Sequence, residues 1–197
     1  MGNLQINLSL MAVLVCIALS SCTVKVNKSG EDDGSKKNVD IQTPVGSIHV
    51  RNDANVEDIG IPVYPGARRK EKNEDGDQKS ANVNLSLGVY GVKVQAIEYL
   101  SDDPSDKVAG YYKDQMKQKF GNVLECHTSH RGHDMGDHED EKGSDALKCE
   151  GDNSGKVIEL KSGTRRNQHL VSIEPGENGK GSDFGLVYIR LKGKDTI

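Results

Sequence analysis

The amino-acid sequence contains few of the residues that usually fill a large core. Among its 197 residues there is no Trp and there are only two Phe, so that aromatic residues amount to 4%. Charged residues reach 28%, and the mean hydropathy is −0.63. These shortages exclude a large aromatic core, and they predict a small core built mainly from Val, Ile, Leu and Tyr.

The chain also lacks an excess of positive charge. Its net charge is −4, and acidic and basic residues are mixed along the sequence. A protein that binds nucleic acid would present a basic face, so the composition argues against nucleic acid as a partner. The uncharged run at residues 8–19 is 12 residues long. It is shorter than the roughly 20 residues that a membrane-spanning helix needs.

Residues 8–19 (LSLMAVLVCIAL) instead have the length of the apolar region of a signal peptide. The run ends in Leu19-Ser20-Ser21-Cys22, which resembles the bacterial lipobox: an aliphatic residue, two small residues and the cysteine that receives a diacylglycerol group. Small side chains give the signal peptidase access to the backbone before the cysteine. Residues 1–7 contain no Lys or Arg, which departs from the usual basic start of a signal peptide.

This pattern predicts a lipoprotein signal peptide over residues 1–21 and a mature protein whose Cys22 carries lipid, palmitate included. Two or three acyl chains would hold a domain firmly on a membrane. The alternative is an ordinary secretory signal with a cysteine by chance; a myristoylation signal does not fit, because Ile6 stands where Ser or Thr is expected. Thr23, in place of Asp, favours sorting to the outer membrane. We therefore expect a location in the cell envelope, facing the periplasm or on the surface.

Residues 22–37 contain two Val and otherwise mostly charged residues, Gly, Ser and Asn. Such a composition buries too little apolar surface to offset the loss of chain entropy. We therefore predict a disordered tether over residues 22–37, followed by a folded envelope domain over residues 38–192. Four Lys and three acidic residues nearly balance in the tether, so it is not expected to clamp anionic lipid.

Alternating apolar and polar residues predict strands on both sides of one helix. Residues 38–51 are typical of a hairpin, residues 61–67 of an edge segment interrupted by prolines, and residues 83–87 and 92–98 of two strands around a turn at 88–91. Further short strands are predicted at residues 123–126, 147–149, 157–160, 169–173 and 184–191.

One helix is predicted from Asp103 to Gly121. Pro104 suits the first helical position, and Asp103 could accept a hydrogen bond from the free backbone donors that follow it. An apolar stripe at four-residue spacing should face the core, and it consists of Val108, Tyr112, Met116 and Phe120. The element order favours an α+β fold, a small antiparallel sheet with one amphipathic helix packed on it.

Two motifs in the domain carry a resemblance. They are residues 62–67 (PVYPGA) and residues 101–112 (SDDPSDKVAGYY). Together they resemble a group of uncharacterised bacterial envelope lipoproteins, which pair a YPGA segment with an Asp-Pro helix bearing adjacent aromatic residues. The similarity would cover roughly residues 38–191. It implies the small sheet-and-helix fold and implies no activity.

Four cysteines are present, of which Cys16 would leave with the signal peptide and Cys22 would carry lipid. The other two, Cys126 and Cys149, belong to an exported domain, where such a pair usually forms a disulfide. The bridge would close a polar loop and stabilise the fold by about 3 kcal/mol. A metal site built from the two thiolates is the alternative.

The loop between these cysteines is rich in histidine. It contains His127, His130, His133 and His138 among several carboxylates, and imidazoles three residues apart could converge on a zinc or copper ion. The spacing matches no established zinc motif, so a solvated loop with incidental histidines and a weak metal site are both open. A catalytic metal is the least supported reading, because a loop offers no packed second shell. No other cofactor is predicted.

The sequence shows no G-x-S-x-G elbow, no phosphate-binding Gly loop before a helix and no S-x-x-K motif. His169 on a predicted strand is expected to be a half-buried structural residue. The leading hypothesis is therefore a lipid-anchored envelope protein with a non-catalytic binding or scaffolding domain of unknown ligand. The alternatives are a lipoprotein that binds a divalent metal through loop 127–138, and an unrecognised hydrolase. The membrane is the one partner that the sequence indicates; it identifies no protein partner.

Overall fold

The computed structural model describes residues 23–28, 37–51, 53–70, 80–129, 145–149 and 153–193. Within them the chain forms an α+β fold with one main helix. In chain order the elements are β1 (Thr23–Lys28), β2 (Lys37–Thr43), β3 (Gly46–Arg51), α1 (Val56–Ile59), β4 (Arg68–Arg69), β5 (Ser80–Leu87), β6 (Tyr90–Ser101), α2 (Ser105–Phe120), β7 (Leu124–Thr128), β8 (Val157–Thr164), β9 (Asn167–Pro175), a 3₁₀ turn (Glu177–Gly179) and β10 (Ser182–Lys192).

The ten strands belong to a single sheet. Their order is β1-β2-β3-β5-β6-β10-β9-β8-β7, and β4 pairs with one end of β6. Every pairing is antiparallel. The antiparallel α+β arrangement is confirmed, but the expectation of a small sheet is wrong. The sheet is large because the alternating segments before and after the helix join one continuous sheet, and β1 extends it further.

Strand β1 corrects the prediction that all of residues 22–37 form a disordered tether. Residues 23–28 pair with β2, and in this register Val24 lies opposite Ile41 and Val26 opposite Val39. The two valines therefore have the alternation that a strand requires, although the segment is too polar to predict order by composition. Cys22 and residues 29–36 lie outside the described residues.

Helix α2 is formed as predicted, with a different start. Pro104 occupies the capping position and no side chain caps the free donors, so the capping role expected of Asp103 is wrong. Its carboxylate instead accepts hydrogen bonds from the Tyr64 hydroxyl and the Lys107 ammonium, at 2.7 and 2.9 Å. At the other end Gly121 adopts a positive φ of 87°, and its N–H donates to the Lys117 carbonyl. The helix ends there because this conformation favours glycine.

The core lies between the sheet and the two helices. The buried stripe of α2 consists of Val108, Tyr112 and Met116, and Ile59 of α1 is buried beside it. These residues contact β6, β8, β9 and β10. The scarce aromatic residues concentrate here: all of them except Tyr90 belong to this core or pack against it. A small number of large aromatic rings thus fills the core, although aromatic residues are scarce in the sequence.

The remaining strand predictions are largely confirmed. The hairpin over residues 38–51 forms from β2 and β3, and β5 and β6 meet at a two-residue turn, Gly88-Val89. Segments 157–160, 169–173 and 184–191 fall within β8, β9 and β10. Residues 147–149 form no strand, and Cys149 is disulfide-bonded to Cys126 of β7.

The register determines which side chains share a face of the sheet. Ile97, Leu186 and Val171 are paired across β6, β10 and β9, and they belong to the core under the helices; this side is called the helix face below. Val94 of β6 pairs with Ile189 of β10 on the opposite side, the outer face. Strands β6, β10, β9, β8 and β7 are called the helix-covered half, and β1, β2, β3 and β5 the N-terminal half.

The apolar side changes between the two halves. In the helix-covered half the apolar residues of the core cluster lie on the helix face. In the N-terminal half that face is polar and carries Asp40, His49, Asn82 and Asn84. The apolar residues there lie on the outer face, and they are Val39, Ile41, Ile48, Val50, Val83 and Leu85. Within the described residues, neither helix has the length and apolar character needed to cross a bilayer.

Candidate functional site

The two motifs that carry the family resemblance form one structural junction. The Tyr64 hydroxyl donates to Asp103 at 2.7 Å, and the Tyr112 hydroxyl accepts a hydrogen bond from the Tyr64 backbone N–H at 3.0 Å. The rings of Tyr64 and Tyr111 meet edge to face, with centroids 5.0 Å apart. The YPGA segment is therefore fixed to the start and the first turns of α2.

Electrostatics at this junction favour stable hydrogen bonds over reactivity. Hydrogen bonds from Lys107 and Tyr64 lower the pKa of Asp103, so its carboxylate is charged at neutral pH. Burial raises the pKa of the Tyr64 and Tyr112 hydroxyls, which therefore remain protonated. The motif pair thus accounts for packing, and it offers no activated base or nucleophile.

The predicted disulfide is confirmed. Cys126 of β7 is bonded to Cys149, with the two Cα atoms 5.3 Å apart. The Cys126 side chain lies on the outer face, so the bridge brings residues 145–149 to that side of the helix-covered half. The Arg165 N–H also donates to the Asp145 carbonyl at 2.9 Å, which holds the start of this segment against the turn between β8 and β9.

Beside the disulfide lies a buried ion pair that the sequence did not predict. Glu159 pairs in register with Cys126, and its carboxylate is 3.0 Å from the Lys161 ammonium. Their side chains are 5% and 2% exposed. Ser172 lies opposite Glu159 on β9, and its buried hydroxyl has no hydrogen-bond partner among the described residues. Alternation with Ile158 and Leu160 places the pair on the face that a sequence reading assigns to solvent. The buried Leu170, which pairs with Lys161, lies on this face as well.

Of the four predicted metal ligands, only His127 belongs to the described residues. His127 lies on β7, with Nε2 3.3 Å from a Glu125 oxygen. His130, His133 and His138 lie outside the described residues. In the part of the chain that the structure describes, no group of three or more His, Cys, Asp or Glu residues could hold a metal ion. The metal site therefore stays a prediction.

His169 is a half-buried residue in the core, as expected. Its ring stacks between Phe120 and Tyr188, with centroid distances of 4.2 and 4.8 Å, and its Nδ1 is 2.8 Å from the Ile59 carbonyl. Burial lowers the pKa of His169, so the ring is neutral at pH 7 and Nδ1 donates to this carbonyl. This residue links β9 to α1.

The outer face of the N-terminal half is a candidate binding surface. It continues from β2, β3 and β5 through Val92 and Val94 of β6 to Ile189 of β10. These side chains are half-buried or exposed, and none belongs to the core cluster. A contiguous apolar surface of this kind is typical of a site of interaction.

The apolar surface reaches its greatest exposure at one end of the sheet. Val45 in the β2–β3 turn is 69% exposed, and Leu87, Val89 and Tyr90 around the β5–β6 turn are 60%, 62% and 55% exposed. The Gly88 N–H donates to the Val45 carbonyl at 3.1 Å, so the two turns are joined. These four residues are called the apolar tip below.

The predicted lipid site, Cys22, lies outside the described residues, whereas the next residue, Thr23, lies within them. Thr23 begins β1 and pairs with Gln42, at the same end of the sheet as the apolar tip. Comparison of the chain with protein-family models, with curated proteins and with solved structures finds no match. The function is therefore inferred from the sequence and from the geometry of these residues.

Proposed function

We propose that the chain is a bacterial lipoprotein, anchored in the cell envelope through lipid on Cys22 and destined for the outer membrane. Its α+β domain binds or scaffolds another component and is not an enzyme. One observation carries this proposal: Leu19-Ser20-Ser21-Cys22 closes a 12-residue apolar run and directly precedes the first strand of a folded domain. Cleavage before Cys22 would leave the lipid at the start of the sheet.

The outer face of the N-terminal half supports the binding or scaffolding part of the proposal. Covering this apolar surface would stabilise the fold, as α2 does on the helix face of the helix-covered half. An apolar surface that is left uncovered therefore fits a role in binding. The metal-binding alternative depends on His130, His133 and His138, and no observation on the described residues favours it. The hydrolase alternative likewise has no supporting geometry.

Replacing the acylated cysteine tests the anchor. Cys22→Ala should abolish labelling by a fatty-acid analogue in a bacterial host and leave an uncleaved precursor, whereas Cys16→Ala should be labelled like the wild type. Cys16 is a fair control because it lies in the apolar run and would be removed with the signal peptide. Equal labelling of the Cys22→Ala variant would refute the lipoprotein assignment.

Photo-crosslinking from two adjacent positions tests the binding surface. Leu85 and Asn84 are both exposed on β5, but Leu85 lies on the outer face and Asn84 on the helix face. A photoreactive residue at position 85 should give crosslinked products in living cells, and one at position 84 should give few. Equal yields from the two positions would contradict a binding role for the outer face.

A further inference from the structure

We infer that the apolar tip inserts into the surface of a lipid bilayer, so that the domain stands on the membrane at the end of the sheet where its lipid anchor is attached. The inference rests on the proposed lipidation of Cys22, and it adds a second membrane contact made by the protein itself. Four observations lead to it: the exposure of the tip, its rigidity, its position relative to residue 23 and the charges around it.

The tip has the composition of a membrane-surface contact. Hairpin turns of two residues usually consist of polar residues and glycine, yet this one contains Val89, flanked by Leu87 and Tyr90. All three side chains are more than half exposed. Exposed aliphatic residues beside a tyrosine suit the interface between headgroups and acyl chains, because the tyrosine hydroxyl can stay in the hydrated layer.

The tip is held in one shape before it meets a membrane. Gly88 has a φ of 57°, a conformation that few other residues adopt, and its N–H is bonded to the β2–β3 turn. Gly46 faces the backbone carbonyl of Ser86, and any side chain at this position would collide with it. Little conformational entropy would therefore be lost when the tip inserts.

The anchor and the tip belong to the same end of the sheet. One row of paired residues crosses six strands there, consisting of Thr23, Gln42, Ser47, Ser86, Gly91 and Lys192. Thr23 and Ser86 are three strands apart, which corresponds to about 14 Å. Since Cys22 directly precedes Thr23, a lipid on Cys22 would hold this end close to the bilayer.

Positive charge borders the tip on the side of β10. Arg165 and Arg166 form the turn between β8 and β9, and Lys192 ends β10. The Leu191 N–H donates to the Arg166 carbonyl at 2.7 Å, which places this turn beside the last residues of β10. Basic side chains around an exposed apolar group fit a membrane surface that contains anionic phospholipid.

The test uses the full chain, expressed in a bacterial host, purified from its membranes and reconstituted into vesicles of phosphatidylethanolamine and phosphatidylglycerol. Since the chain contains no Trp, Val89→Trp introduces a single fluorescent reporter at the tip. Glu177→Trp, at an exposed position in the 3₁₀ turn at the other end of the sheet, is the matched control. Val45→Trp provides a second reporter should position 89 not accept the larger ring.

At an insertion depth of about 5–10 Å, brominated phospholipid should lower the emission of the tip reporter at least about twofold and leave that of the control nearly unchanged. The mass of the amino-terminal peptide from the same preparation reports acylation of Cys22. An acylated protein whose tip reporters are quenched no more than the control would overturn the docking inference alone, and would indicate that the tip meets a protein. An unmodified Cys22 would refute the proposed function and, with it, this inference.

Discussion

The helix-covered half and the N-terminal half of the sheet follow the same alternation of apolar and polar residues, but they place their apolar sides on opposite faces. In the first half, Phe184 and Ile173 are fully buried under α2. In the second, Ile48 and Val83 are half-buried on the outer face, and Leu85 is 38% exposed. One sheet thus contains a region whose apolar residues are buried and a region whose apolar residues are partly exposed.

The two halves also differ in what covers the polar face. The outer face of β8 carries the charged residues Glu159 and Lys161, yet both are buried, and Glu159 pairs with the disulfide-bonded Cys126. The helix face of β3 carries His49, which is half-exposed and is bonded to Asp40. The sheet around β8 is therefore buried on both faces and should supply much of the stability, whereas the N-terminal half is available for contacts.

The largest effect should come from breaking the buried ion pair. Lys161→Met removes the partner of the Glu159 carboxylate and leaves a buried charge without compensation, which should cost about 3–5 kcal/mol in the free energy of unfolding. Lys113→Met is the control, because the Lys113–Glu125 pair is substantially exposed and its loss should change the free energy of unfolding little. Urea unfolding of both variants measures the difference; equal losses would show that the outer face of β8 is not sealed.

A smaller effect should separate the two halves directly. Ile173→Ala creates a cavity under α2 and should cost about 2–5 kcal/mol, whereas Ile48→Ala, on the outer face of β3, should cost about 1 kcal/mol because less area is buried there. Thermal or urea unfolding gives both values. Similar losses at the two positions would mean that the outer face of the N-terminal half is covered like the core.

The sequence predicted most elements because they depend on local pattern. The stripe of α2 from Val108 to Phe120 and the stop at Gly121 follow helical periodicity and backbone preference, and both are confirmed. The pairing of Cys126 with Cys149 was predicted because the proposed signal peptide and lipidation would account for the other two cysteines. Alternation in residues 83–87 and 92–98 likewise indicated strands.

The alternation could not predict which face of each strand is covered by other parts of the chain. The apolar positions of β5 and those of β9 have the same pattern, but only those of β9 meet α2. Lys161 is buried on the face opposite the helices, beside strands that are distant in sequence, and β1 is formed by pairing with β2. These features arise from contacts between distant segments, for which a single sequence contains no local signal.

The smallest effect concerns a residue of the helix-covered half. Because burial holds the pKa of His169 below its usual value, the native protein takes up this proton less readily than the unfolded chain. The stability associated with the neutral ring is present above the unfolded pKa of about 6.5 and is lost as the pH falls below it. His169→Phe keeps a flat ring between Phe120 and Tyr188, so its free energy of unfolding should fall less than that of the wild type between about pH 7.5 and 5. Identical pH dependence would contradict a buried neutral imidazole.

The proposal that the domain stands on a membrane at the end of the sheet that carries the apolar tip depends most on the identity of the mature amino terminus. Mass spectrometry of the amino-terminal peptide, from protein purified out of the envelope of a bacterial host, measures it directly. We predict that the peptide begins at Cys22 and carries two or three acyl chains. A peptide that begins at another residue, or an unmodified Cys22, would contradict the account.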